Sequence, residues 1–176
     1  MGNDAVRSSS SVTRRAVVRG ASAVAATLGL GHRLGLGARA AQEATPPPDP
    51  ERVVGELLGV GQPTSTPGME LILRRTTIAP GGGLPPHSHP GSLLLVVDAG
   101  TWGYTPLGGT IRVTRAAGDG TPTAAEEPPM GVELILTKGD ALFAEASRDE
   151  MRNAGEDEVV LLIAALTPAG QDIQTD

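Results

Sequence analysis

The sequence predicts an all-β fold, a single barrel or sandwich of short strands, and three observations support this. The 176 residues include 24 Gly and 15 Pro, which favours many turns over long helices. Beyond residue 50 the chain alternates short apolar runs, rich in Val, Leu, Ile and Thr, with Gly- and Pro-containing turns, as all-β domains do. The sequence has no internal repeat, which favours one barrel over two. It has no Cys, so disulfides and thiolate metal sites are excluded.

Residues 1–40 have the pattern of a non-globular export signal. The segment TRRAVVR at positions 13–19 precedes an uncharged run from Gly20 to Gly31, and Ala38-Arg39-Ala40 offers small residues for cleavage. This resembles a twin-arginine signal, although Val17 stands where Phe is common and His32-Arg33 interrupts the apolar stretch. The run is too short to span a bilayer in the ordinary way. We therefore expect a periplasmic or extracellular protein without stable membrane insertion after cleavage. A basic disordered leader or an uncleaved anchor is the alternative.

The chain beyond residue 40 is acidic. It contains eight basic and nineteen acidic side chains, and so has a net charge of −11. Such a domain repels phosphate backbones and lacks the basic stripe that nucleic-acid binding requires. Nucleic acid is therefore excluded as a partner.

The rest of the chain divides into three parts. Residues 41–51 form a Pro-rich linker, residues 52–168 the predicted barrel, and residues 169–176 a C-terminal tail. Residues 116–131 (AAGDGTPTAAEEPPMG) interrupt the regular spacing and have the composition of an exposed loop. The predicted strands are Val53–Val60, Met69–Ile78, Leu93–Val97, Thr110–Thr114, Val132–Thr137, Ala141–Phe143 and Val159–Leu166.

The segment PPHSHPG at positions 85–91 is the most informative stretch for chemistry. His87 and His89 are the only histidines beyond residue 40. In an extended chain, residues two apart point to the same face, so the two imidazoles can reach one metal ion from a single strand. A pair of solvated loop histidines is the alternative, because H-x-H is common by chance.

The spacing around these histidines resembles the first motif of the cupin family. Gly81, five residues, His87, Ser88, His89, three residues, position 93, six residues and Gly100 match the pattern Gly-x5-His-x-His-x(3,4)-Glu-x6-Gly. The glutamate of that pattern falls on Leu93, so a carboxylate is missing there.

The second cupin motif, Gly-x5-Pro-x-Gly-x2-His-x3-Asn, is matched at its two ends by Gly139 and Asn153. Its histidine falls on Glu150 when counted from Gly139, and on Asp149 when counted back from Asn153. The segment is one residue shorter than the family pattern, so the two registers disagree. The resemblance spans about residues 52–167 and implies a small jelly-roll β-barrel, which agrees with the strand pattern.

Cupins bind a divalent metal through three His and one Glu, so the resemblance implies a metal site in which only His87 and His89 are retained. In one hypothesis Asp149 or Glu150 completes two imidazoles and one carboxylate, which suits Fe(II), with Mn(II) or Zn(II) as alternatives. The protein is then a metal-dependent enzyme of the dioxygenase or isomerase type. In the other, the ligand set has decayed, Leu93 faces the metal position, and the pocket binds a small molecule beside a weak or degenerate metal site. We favour the second, because the substitution at position 93 does not depend on register.

Two aromatic residues complete the predicted ligand pocket. Trp102 and Tyr104 share one face of a strand and are assigned to the barrel mouth with His87, His89 and Leu93, core packing being the alternative. A third function hypothesis is a structural or interaction module, for instance a homodimer, since cupins commonly pair through sheet edges. The sequence assigns no catalytic residue and leaves enzyme activity open.

Overall fold

The computed structural model describes residues 46–176, which form eight antiparallel strands and one short 3-10 turn, Pro50–Arg52. The predicted export signal, residues 1–40, and the first residues of the predicted linker lie outside the described residues. No helix within residues 46–176 is long and apolar enough to cross a membrane. The strands are β1 (Val53–Gly61), β2 (Met69–Ile78), β3 (Gly83–Ser88), β4 (Ser92–Ala99), β5 (Thr101–Thr114), β6 (Leu134–Thr137), β7 (Ala141–Asn153) and β8 (Val159–Pro168).

The strands join in one hydrogen-bonded sheet with the order β1-β2-β8-β4-β7-β5-β6, and β3 pairs with β7 beside this path. Neighbours in the sheet are mostly distant in sequence, as the strand pairs β2–β8 and β4–β7 illustrate. The sheet curls so that alternating side chains meet inside, where Trp102, Leu136, Leu142 and Leu161 are fully buried. The predicted all-β jelly-roll class is thus confirmed.

Strand β3 is an element that the apolar-run pattern did not predict. Its sequence GLPPHS contains Pro85 and Pro86, and proline cannot donate to a strand ladder. The structure accommodates them at a register shift between Leu84 and His87, so that the ladder with β7 resumes at His87. Because prolines are tolerated at such irregularities, β3 delivers the histidine pair to β7 in spite of its composition.

Strand β7 is much longer than the predicted Ala141–Phe143, and it contains a bulge that decides which residues face inward. Its buried positions are Leu142 and Ala144 before residue 146, but Ser147 and Asp149 after it. Ala146 has φ +45°, a left-handed conformation that β-carbon-bearing residues rarely adopt. The inward parity of β7 therefore changes by one residue at Ala146.

The partner strand β5 adapts to this bulge with a glycine. The pairing of β5 with β7 shifts register on either side of Gly108, and the next residue, Gly109, has φ +86°. A β-carbon on Gly109 would come within 2.5 Å of the Ala146 carbonyl oxygen. Only glycine combines this conformation with so close an approach of two backbones.

Candidate metal centre

Three metal-ligating side chains converge inside the barrel: His87, His89 and Asp149. His87 on β3 is the direct register partner of Asp149 on β7, and His89 follows β3 by one residue. His87 and Asp149 are each only 3% exposed. His87 Nε2 lies 3.5 Å from Asp149 Oδ1, and His89 Nε2 lies 3.6 Å from Asp149 Oδ2. One ligand atom from each residue lies within 4.8 Å of the other two.

Backbone carbonyls hold both imidazole rings in one tautomer. His87 Nδ1 lies 2.9 Å from the carbonyl oxygen of Pro85, and His89 Nδ1 contacts the carbonyl oxygen of Ile173. A carbonyl oxygen can only accept, so each Nδ1 donates its hydrogen and the neutral ring carries its lone pair on Nε2. The two rings meet edge to face, with centroids 4.8 Å apart. The two Nε2 atoms lie 3.5 and 3.6 Å from the oxygens of the Asp149 carboxyl group.

The Asp149 carboxylate is held by two hydroxyl groups. Tyr104 Oη and Ser147 Oγ each donate to Asp149 Oδ2 at 3.3 Å. Burial raises the pKa of Asp149, against the opposing charges of His89 and His87 and these two hydrogen bonds. Burial likewise lowers the pKa of His89, against the Asp149 charge, and raises the pKa of Tyr104, with the Asp149 charge in support. Burial therefore favours the uncharged form of all three groups, Asp149, His89 and Tyr104.

This donor set fits a divalent metal ion. Two imidazole lone pairs and a carboxyl group face one another in a buried space, and a metal ion bound between them would offset the repulsion of their lone pairs. Ligands bound at about 2.1 Å in a tetrahedral site are about 3.4 Å apart, close to the observed separations of 3.5 and 3.6 Å. Backbone acceptors on the second ring nitrogen are the usual support of metal-bound histidine.

The cavity beside these residues is small. Its volume is about 40 Å³, and it is lined by His87, His89, Leu93 and Tyr104 among others. This space is enough for an ion and a few water molecules, while sites for drug-sized ligands span roughly 300–1,000 Å³. The lining of the cavity is mostly apolar, and of the three ligands His87 and Asp149 are buried and His89 is partly buried.

The structure brings together most of the residues that the sequence predicted for the pocket. Leu93 is 3% exposed and faces the histidines, and Trp102 and Tyr104 pack against each other with ring centroids 5.1 Å apart on the same cavity. Asp149 lies beside the imidazoles, whereas Glu150 lines a groove on the opposite face of β7. Glu150 therefore points away from the site, because the bulge at Ala146 places Asp149, and not Glu150, on the inner face of β7.

Ser147 and the segment after β8 also belong to the site, and sequence reasoning assigned neither to it. Ile173 is 9% exposed, lines the cavity and supplies the carbonyl that binds His89. Thr175 exchanges two backbone hydrogen bonds of 2.8 Å with Ser88, the residue between the two histidines. Residues 169–176 had the composition of a tail, and only their isoleucine hinted at burial.

No protein-family model and no curated protein match the sequence. Solved structures that are similar to the chain include cupin proteins. A cupin 2 conserved barrel domain protein from Leptotrichia buccalis has a TM-score of 0.43 and 19% identity over 65% of this chain and 41% of that chain. A cupin superfamily protein from Desulfitobacterium hafniense has a TM-score of 0.41 and 13% identity over 65% of this chain and 77% of that chain. A salicylate 1,2-dioxygenase variant from Pseudoaminobacter salicylatoxidans has a TM-score of 0.44 and 13% identity over 68% of this chain and 28% of that chain. The chain thus spans less than half of the first and third proteins.

Proposed function

We propose that the protein is a metal-dependent enzyme of the cupin type, with one divalent ion held by His87, His89 and Asp149. Fe(II), Mn(II) and Zn(II) all accept two imidazoles and a carboxylate. The observation that carries the proposal is the meeting of three buried lone-pair donors, with both rings held in the metal-binding tautomer. Such an ion would polarise an oxygen atom of a small bound molecule.

The residues of the chain supply the rest of the chemistry. The carbonyls of Pro85 and Ile173 orient the imidazoles, and Ser147 orients the carboxylate. Burial keeps the Tyr104 hydroxyl protonated, so it holds a proton at the edge of the cavity. Leu93 keeps this side of the cavity apolar and dry.

The cavity supports a metal centre more than a small-molecule pocket beside a weak or degenerate metal site, the hypothesis that we favoured from the sequence alone. A drug-sized ligand needs a chamber several times larger than 40 Å³. Such a ligand would also leave the two imidazole lone pairs without a cation, and buried polar groups without a partner are unfavourable.

The test is metal binding by the full chain, measured as zinc stoichiometry and affinity by calorimetry and elemental analysis. We expect one ion per chain, with affinity falling at least about 100-fold in Asp149→Asn and His87→Ala. Glu150→Gln is the matched control, because it removes the neighbouring carboxylate on the other face of β7 and leaves the affinity unchanged. Equal losses in Asp149→Asn and Glu150→Gln, or no stoichiometric ion in the wild type, would exclude this metal centre.

Export is a separate proposal that the pattern of residues 1–40 supports. A folded reporter fused behind these residues is expected to leave the bacterial cytoplasm. Replacing Arg14 and Arg15 by Lys is expected to retain the reporter inside the cell, and unchanged export of that variant would contradict the twin-arginine route.

A further inference from the structure

Arg74 on β2 lines the metal cavity and forms no ion pair with any side chain of residues 46–176. Five of the eight basic side chains in residues 46–176 form ion pairs, with partners such as Glu56 for Arg75 and Glu133 for Arg152. Within this described part of the chain, Arg74, Lys138 and Arg148 form none, and of these three only Arg74 is half-buried. A half-buried arginine that has no carboxylate partner among the described residues is unusual in so acidic a domain.

The position of Arg74 is set by its register on the inner face of the sheet. It pairs with Leu57 on β1 and with Ile163 on β8, and Ile163 belongs to the buried core. Its neighbour Arg75 faces outward, where it forms an exposed ion pair of 2.8 Å with Glu56. The two arginines therefore carry the same charge on opposite faces of one strand.

A glycine makes room for the Arg74 guanidinium. A β-carbon on Gly55 would overlap the nitrogen atoms and the central carbon of that group. The guanidinium thus lies directly against the backbone of β1, in space that only glycine leaves open. By contrast, a β-carbon on Gly59 of the same strand meets nothing within 4 Å.

Arg74 connects the metal cavity with a larger groove at the barrel mouth. It lines the 40 Å³ cavity with the two histidines and Asp149, and it also lines an adjoining groove of about 510 Å³. Glu70 and Asp172 line the outer groove but not the inner cavity. Arg74 is thus shared by the two spaces, with its guanidinium against Gly55 in the outer groove, whereas the inner cavity has no acidic lining residue besides Asp149.

We propose that the inner cavity binds a small carboxylate anion, with Arg74 as its guanidinium anchor beside the metal centre. The planar fork of arginine matches the two oxygens of a carboxylate, and the 40 Å³ volume restricts the ligand to an acid of a few carbon atoms. This assignment of substrate class rests on the proposed metal-dependent function.

The test titrates sodium acetate into the full chain, with and without zinc, and follows amide resonances by NMR against sodium chloride at equal ionic strength. We expect saturable acetate binding, weakened at least about tenfold by Arg74→Met. Arg75→Met makes the same change of charge on the outer face and is expected to leave acetate affinity within about twofold of wild type.

A second pair of variants displaces the anchor without removing its charge. Gly55→Ala pushes only the far end of a flexible side chain aside, so we expect it to fold and to weaken acetate binding as Arg74→Met does. Gly59→Ala, on the same strand, is expected to bind acetate as the wild type does.

The zinc affinity of each variant separates this inference from the proposed function. If the wild type binds zinc but acetate does not saturate, or if Arg74→Met and Arg75→Met behave alike, the carboxylate site is wrong and the metal centre stands. If acetate binding depends on Arg74 while zinc does not bind, the carboxylate site stands and the metal centre is wrong.

Discussion

The segment after β8 offers the sharpest test of how the site is built. Ending the chain after Gln171 removes the Ile173 carbonyl that accepts from His89 Nδ1, and with it the pairing of Thr175 with Ser88. The imidazole then loses the acceptor that selects its tautomer. Loss of such a supporting partner typically reduces metal affinity about 10- to 100-fold.

The same truncation is expected to change the free energy of unfolding by less than about 4 kcal/mol. Burying Ile173 stabilises by about 2–3 kcal/mol, and the two hydrogen bonds with Ser88 add about 1 kcal/mol each. Ordering residues 172–176 opposes this by about 5–8 kcal/mol of backbone entropy. The two contributions nearly cancel, so the segment matters for the metal and little for stability.

The assay compares zinc affinity and urea unfolding of the metal-free protein in two truncated chains. A chain ending after Gln171 should lose affinity, whereas a chain ending after Thr175 keeps both the carbonyl and the pairing and should match the wild type. Equal zinc affinities in the two truncated chains would refute the role of this carbonyl.

Three further predictions concern single side chains. Leu93→Glu should destabilise the metal-free protein by about 3–5 kcal/mol, because it buries a carboxyl group in place of an apolar side chain. Saturating zinc should recover part of this loss in Leu93→Glu but not in the control Leu93→Gln, as measured by calorimetric unfolding. Equal effects of zinc on the two variants would contradict the placement of position 93 beside the metal ligands. Burial acts to raise the pKa of Asp140, but hydrogen-bond donors that include the Thr137 amide outweigh it and lower the pKa. The ionised carboxylate therefore stabilises the fold fully above the unfolded pKa of 3.8, and this stabilisation is lost as the pH falls through the lower folded pKa. Between pH 7 and pH 2 the wild type should thus lose more unfolding free energy than Asp140→Asn, and parallel pH profiles of the two proteins would disprove this. Gly109→Ala should lower the free energy of unfolding by more than about 2 kcal/mol, whereas Gly118→Ala, where a β-carbon meets nothing within 4 Å, should lower it by under about 0.5 kcal/mol. Thermal unfolding measures the difference, and similar melting temperatures of the two variants would be inconsistent with the bulge.

The fold class was predictable because apolar runs and turn residues alternate along the whole domain. Strand β3 was not, since Pro85 and Pro86 hide it from any pattern based on apolar runs. The histidine pair could be found from its i, i+2 spacing alone. Counting residues could not choose between Asp149 and Glu150, because the bulge at Ala146 shifts the parity of β7 and nothing in the local sequence marks it.

The remaining features of the site depend on contacts between distant segments. Ile173 reaches His89 from 84 residues away, and no periodicity reports such a contact. Arg74 and Arg75 are equivalent in sequence, and only the strand register shows which of them faces the cavity. The need for glycine at position 55 is visible only in the structure, where the Arg74 guanidinium from the next strand occupies the space of a β-carbon.

The long sequence separations within the site have a kinetic consequence. His87 and Asp149 pair between strands that are distant in sequence, so the ligand atoms meet only after the slow closure of nonlocal strand pairs. An ion that recognises this late arrangement cannot accelerate the steps that precede it. Metal binding is therefore expected to slow unfolding, which lengthens the lifetime of the native state, and to leave the refolding rate nearly unaltered.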